Sequence, residues 1–336
     1  MSSQSSSIAD ASSREGRLDQ FEQEARTIVS ESPLRSLWDL RHVPAKHLAV
    51  RTWKSMISDR IFGHAAELGF YFLFALFPTL LSASSILGLA ARSAHQFYDK
   101  LLDYLSILIP TAALGTVLKT FNETTAAASS GKITFGLIAA VWSASVGISA
   151  VQDTMNVVYK VQDTRSYIRA RIYAIGLTIL LTNIVTAGLA CMLSGDVVAA
   201  LSYRFIPVHL LAVAAAIVAR VVAWFMATAL LALTFGVIYY WAPDLRIRRW
   251  HWFSPGCAIG IAGWLVASLG LRVYIHFFNS YSFTYGSLGA VIILLTWFYI
   301  TGLMLLLGAE INSEIEAIAA EAQLTSSQMS SASLQN

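Results

Sequence analysis

Charge is scarce in this sequence: 13% of its 336 residues are Asp, Glu, Lys or Arg, against roughly a quarter in a soluble globular domain. So little polar surface cannot cover a compact protein in water, which excludes an ordinary soluble domain. Cysteine is scarcer still. Cys191 and Cys257 each sit inside a long apolar run, a placement that gives neither a metal-ligand spacing nor a disulfide framework. The seven histidines are scattered without a His-Glu-x-x-His pattern, so no metal site is expected. No glycine-rich phosphate loop and no Gly-x-Ser-x-Gly elbow occur, leaving no cofactor and no catalytic residue to assign. The basic clusters are short and flank apolar runs, which suits anionic lipid headgroups and not nucleic acid.

What the chain has in abundance is apolar length. Hydrophobic residues make up 56% and the mean hydropathy is +0.60. A helix rising ~1.5 Å per residue crosses a ~30 Å hydrocarbon core in about 20 residues. The expected fold class is therefore all-α, a polytopic membrane protein of six transmembrane helices. The spans fall at about 67–91, 133–156, 171–195, 220–241, 254–277 and 286–310. Two stretches need arbitration. A span centred on Arg220 would cost roughly 2.5–3.5 kcal/mol, so the fourth span is placed after it and 205–219 is read as an interfacial or re-entrant helix. The apolar run 273–309 is too long for one helix, and Asn279, Ser280, Tyr281 and Ser282 suit a hairpin tip. The stretch 104–118, short and carrying Pro110, is read as interfacial.

Positive residues precede the first span (Arg51, Lys54, Arg60), follow the second (Lys160, Arg165, Arg169, Arg171) and follow the fourth (Arg246, Arg248, Arg249). Six crossings put all three clusters on one side, which gives both termini in the cytoplasm. A signal peptide would place its apolar stretch within the first ~30 residues. Here the first long run begins after Glu67, so the N-terminal region is expected to be retained. Residues 1–45 read as a cytoplasmic, partly disordered region with a short amphipathic helix built on Leu18, Phe21, Ala25, Ile28 and Val29. Residues 46–316 read as the membrane domain, introduced by a basic interfacial helix around Trp53, and 317–336 as a disordered cytoplasmic tail.

Polar residues at membrane depth are the candidates for function. Glu67 lies at the inner end of span one, Asp153 and Asn156 at the inner end of span two, Asn183 midway along span three, Arg272 toward the outer end of span five and Glu310 at the inner end of span six. Each also has a plain structural use, as a hydrated interfacial carboxylate, an interhelical amide or a snorkelling anchor. Pro78 can kink span one. Gly256-x-x-x-Gly260 and Gly286 mark close helix packing.

The run from Tyr285, YGSLGAVIILLTWFYITGLMLLLGAEIN, resembles the C-terminal hallmark of the YihY/virulence factor BrkB family. FYFLFALFPTLL from Phe70, ISAVQDTMNVVY from Ile148 and PGCAIGIAGWLVASLG from Pro255 support the likeness, which covers about residues 50–316. Glu67, Gly69 and Phe70 depart from a family stretch that is usually small and apolar with an aromatic pair. The resemblance implies a six-span bacterial inner-membrane protein, multi-pass, with links to lipid and envelope processes. It adds Tyr285 to the candidate transport residues and implies no agreed catalytic set, although members have carried a ribonuclease label. Three functions follow as expectations: a transporter or flippase of an amphipathic, lipid-like envelope substrate; a non-transporting membrane scaffold or envelope-assembly factor; and, last, a ribonuclease. The expected partners are membrane lipids, with a homo-oligomer or envelope-assembly proteins as further ones.

Overall fold

The computed structural model describes residues 37–38, 44–90, 130–245, 253–277 and 287–334. Among these residues the chain forms seven helices: α1 (Ala45–Ser58), α2 (Ile61–Ala90), α3 (Ser130–Val158), α4 (Tyr167–Phe205), α5 (His209–Trp241), α6 (Pro255–Phe277) and α7 (Ser287–Leu334). The predicted helix near residues 18–29, the stretch 104–118, Tyr285 and Gly286 lie outside the described residues.

Four helices, α4, α5, α6 and α7, are long and apolar enough to cross a membrane. Their outward faces carry large apolar side chains: Leu210 is 77% exposed, Phe225 76% and Val266 72%. Water would penalise so much contiguous apolar surface, whereas hydrocarbon does not. The chain is a multi-pass membrane protein.

Small residues set the packing. A Cβ on Gly69 of α2 would stand 3.1 Å from the Tyr299 backbone nitrogen of α7, and one on Gly302 would stand 3.2 Å from Leu68 Cβ. Helix α7 thus runs against α2 on one side and α6 on another, with α3 and α1 also touching it. Helices α4 and α5 form a hairpin, with Gly195 facing Ala223 and Gly188 facing Leu230. Ile61, Leu68, Val151, Met155 and Leu306 belong to the buried core that joins α2, α3 and α7.

Two sequence expectations are overturned. Residues 209–219 are not a separate interfacial or re-entrant helix; they are the first third of α5. No proline or glycine interrupts α5 before Gly236, and Pro207 sits in the turn instead, where its ring restricts the chain without breaking a helix. Arg220 is accommodated by Asp196 of α4, whose Oδ1 accepts from Arg220 Nε at 3.2 Å. An opposite charge beside it lowers the penalty that made a helix through Arg220 look costly. At ~1.5 Å per residue α4 and α5 reach about 58 and 50 Å, well beyond one bilayer. The second correction concerns 317–336: α7 continues as helix to Leu334. Ile318, Ala320 and Leu324 are buried there, so packing supports what the polar, serine-rich composition alone would not.

Candidate functional site

Helix α7 leaves its apolar stretch at Ala309 and meets four buried polar residues within two turns. Glu310 is 0% exposed, Asn312 2%, Ser313 6% and Glu314 1%. Polar groups removed from water must find partners, and Asn312, Ser313 and Glu314 find them on three different elements. Ser313 Oγ donates to the Val158 carbonyl at the end of α3, 2.9 Å away, satisfying one of that helix's orphan acceptors. Asn312 Nδ2 donates to Ser254 Oγ at 2.8 Å, while Asn312 Oδ1 accepts the Gly256 N–H at 2.9 Å. Glu314 reaches α1, accepting from Arg51 Nε at 2.8 Å and from Ser55 Oγ at 2.8 Å.

The start of α6 explains why Asn312 sits where it does. Ser254 is the N-cap and its Oγ accepts the Cys257 N–H at 3.1 Å, the usual capping bond. Pro255 occupies the first helical position, where a missing N–H costs nothing. The Gly256 N–H is the donor left over, and Asn312 takes it. Every early N–H of α6 is thereby accounted for.

Tyr159, just past α3, completes the cluster. Its hydroxyl bonds the Asn312 side chain, and burial pushes the phenol above its usual range, with Glu316 and Glu310 adding to the shift. Gln152 and Asn156 share one face of α3 by helical spacing, and Tyr159 follows at the same register. Gln152 is 2% exposed and its Nε2 has no hydrogen-bond partner among the described residues. Asn156 braces two connections: Nδ2 donates to Asp163 at 3.1 Å and Oδ1 accepts the Asp244 N–H at 2.7 Å. Arg165 donates to Asp163 at 2.7 Å, and its hydrogen bonds hold the Asp163 carboxyl below the usual carboxylate range.

Of the residues singled out in the sequence, Glu310 and Asn156 lie in or beside this cluster. Asp153 is exposed, with the charges of Asp163, Glu67 and Arg165 as its electrostatic neighbours. Glu67 is half exposed and lies 3.4 Å from His64 Nδ1. Asn183 does not bond another helix: its Nδ2 donates to the Ile179 carbonyl of its own helix at 2.8 Å. Arg272 is sixteen positions along α6 from Gly256, about 24 Å by helical rise, and so stands at the other end of the bundle. Pro78 falls within α2. Gly256 and Gly260 form the α6–α7 contact, with a Cβ on Gly260 only 3.0 Å from the Met304 carbonyl oxygen. Sequence reasoning missed Asn312, Glu314, Arg51, Ser254 and Tyr159. The signal for one pair was present: Glu310 and Glu314 stand at i and i+4, the spacing of one helix face.

Glu316, beyond the apolar stretch, has its carboxyl pushed up to about 7 by burial. Below the ordinary 4.5 it is neutral in both folded and unfolded chains, and its favourable contribution is complete. As pH rises toward 7 the unfolded chain ionises first, so stability falls through that window and then levels. The thermal midpoint of Glu316→Gln, measured in detergent and compared with the parent, should gain on it between pH 4.5 and 7. A difference that stays flat over this range would contradict the burial.

Among the described residues no group of three or more His, Cys, Asp or Glu could hold a metal ion. A family model described as virulence factor BrkB matches residues 52–332. The chain is 32% identical over 251 residues to a ribonuclease-like protein, YfkH, of Bacillus subtilis (strain 168), covering 74% of this chain and 88% of that protein. It is 28% identical over 269 residues to a UPF0761 membrane protein of Stenotrophomonas maltophilia (strain K279a). A UPF0761 membrane protein of Xanthomonas oryzae pv. oryzae (strain PXO99A) is 26% identical over 266 residues. Each of these two alignments covers 79% of this chain but only 60% of the relative, so the chain spans about three-fifths of the UPF0761 proteins. No solved structure matches it.

Proposed function

The chain belongs to the virulence factor BrkB family of membrane proteins, and from that premise we propose that it moves an amphipathic, lipid-like envelope substrate across the bacterial cytoplasmic membrane. In this reading helices α2 to α7 are six crossings, both termini face the cytoplasm, and lipids are the principal partners. The basic residues near Lys160 and those near Arg248 then share one side.

The observation that carries the reading is the buried polar cluster at the end of the α7 apolar stretch. Glu310, Asn312 and Gln152 are each no more than 2% exposed. Polar side chains at such depth are costly and mark substrate or ion pathways in membrane proteins. A headgroup passing through the bundle needs polar groups of this kind to replace its water, and the Gln152 amide has donor capacity to spare. Glu310 supplies the carboxylate of the path, with Asp153 and Glu67 at its cytoplasmic mouth and Arg272 toward its far end.

Liposomes containing the full chain should flip a fluorescent phospholipid between leaflets faster than protein-free liposomes do. Glu310→Gln should slow that movement at least tenfold with the thermal midpoint retained. Full-length protein that leaves lipid movement at the protein-free rate overturns the proposal. One observation favours a second reading, a non-transporting envelope scaffold: α7 runs on from Glu310 to Leu334 with α1 clasped to it, a platform suited to a protein partner or a second copy. Under that reading the Glu310 variant changes nothing in liposomes because the parent does nothing there. The ribonuclease-like name of the Bacillus relative is not carried over, since no metal-binding cluster accompanies it among the described residues.

A further inference from the structure

A groove of about 340 Å³ opens beside the start of α4, lined by Ile172, Tyr173, Gly176, Leu177, Leu180 and Trp241. All six are apolar or present an apolar body. Gly176 forms its open floor, since a Cβ there would meet nothing within 4 Å. Ile172 and Tyr173 are 64% and 47% exposed, so the groove faces outward, and none of its lining residues belongs to the polar cluster.

The neighbouring cations differ in one respect. Lys160 is paired with Asp59 and Arg165 with Asp163. Arg171 lies over the Trp142 ring, 4.2 Å from its centroid, and donates to Ser149 Oγ. Arg169 is exposed and makes no ion pair or side-chain hydrogen bond among the described residues. It precedes Ile172, Tyr173, Gly176 and Leu180 by three, four, seven and eleven positions, which places it on the same face of α4 as the groove. A free guanidinium therefore stands one turn before an outward apolar slot, and that slot continues for about 12 Å of helix. Tyr173 and Trp241 at the slot's mouth are the amphipathic rings that settle at a membrane–water boundary.

We propose that this groove is a binding site for an anionic phospholipid, with an acyl chain along Gly176 and Leu180 and the headgroup phosphate on Arg169. Guanidinium binds phosphate through paired N–H donors, and the apolar slot excludes a free phosphate ion as the complete ligand. The site requires only that this end of α4 lie at a membrane boundary. It holds whether or not the polar cluster moves a substrate.

The full chain in neutral detergent, titrated with phosphatidylglycerol or phosphatidylcholine of the same acyl chains, tests this by native mass spectrometry of retained lipid. Phosphatidylglycerol should be held more tightly. Arg169→Gln should weaken it about fivefold and weaken phosphatidylcholine, whose choline cation offsets its phosphate, by clearly less, and Gly176→Phe, which fills the slot, should weaken both. Arg169 is exposed, so an unchanged thermal midpoint for its variant is expected and verifies folding. Equal retention of the two lipids, insensitivity to Arg169→Gln, or displacement by soluble glycerol phosphate at matched concentration would overturn the site.

Discussion

Arg51→Ala should destabilise the folded protein by about 3–5 kcal/mol, because it strands a buried carboxylate. The Glu314 side chain is 1% exposed and that of Arg51 17%, so neither is well screened by water. Arg51 also donates from Nη1 to Glu321 at 2.7 Å, which makes one guanidinium the link between α1 and two turns of α7. With it gone, Ser55 Oγ remains as a neutral donor to Glu314 and cannot balance the charge. Arg51→Lys should fall between, since an ammonium cannot reproduce the planar fork. Replacing both partners, Arg51→Met with Glu314→Leu, should come close to the parent, because two apolar groups leave nothing unsatisfied. Unfolding in mixed micelles of increasing denaturing detergent measures all four. A single Arg51→Ala variant within about 0.5 kcal/mol of the parent would mean that water reaches the pair, as it does for surface salt bridges.

That pair also marks the limit of what the sequence discloses. The apolar runs are legible because hydrocarbon imposes a minimum length on whatever crosses it, and the predicted spans fall within the helices α2 to α7, give or take a residue or two at their ends. Their ends are not legible. Arg220 reads as a stop for a helix until Asp196, 24 positions earlier, is seen to lie beside it. Residues 317–336 read as a tail, yet Ala, Glu, Ile and Leu between 317 and 324 are competent helix formers, and Ile318, Ala320 and Leu324 are buried there. Glu310 is visible as a carboxylate closing a long apolar run. Asn312 is not, because its meaning comes from Ser254, 58 positions away, and from a helix cap that no periodicity announces. Asn183 shows the converse case: a polar residue conspicuous in mid-span that bonds its own backbone.

Gly256→Ala should cost about 3 kcal/mol or more, at the upper end of what overpacking does. A Cβ on Gly256 would overlap the Gly308 carbonyl oxygen, and one on Gly308 would overlap the Tyr239 hydroxyl. The obstacle in the first case is backbone, which cannot rotate away as a flexible side chain would. The α6–α7 spacing must therefore widen, and three bonds depend on it: Gly256 N–H to Asn312 at 2.9 Å, Asn312 to Ser254 at 2.8 Å, and Tyr239 hydroxyl to the Leu305 carbonyl at 2.9 Å. Gly270, in the same helix, supplies the control. A Cβ there meets nothing within 4 Å, so Gly270→Ala should be neutral or stabilising by up to about 1 kcal/mol, because alanine is the better helix former. The two substitutions add the same methyl to the same helix, and opposite signs in the unfolding midpoint separate close packing from helix propensity. Equal midpoints would mean that α6 and α7 are not in backbone contact at Gly256, and the polar cluster built on that contact would lose its geometry with it.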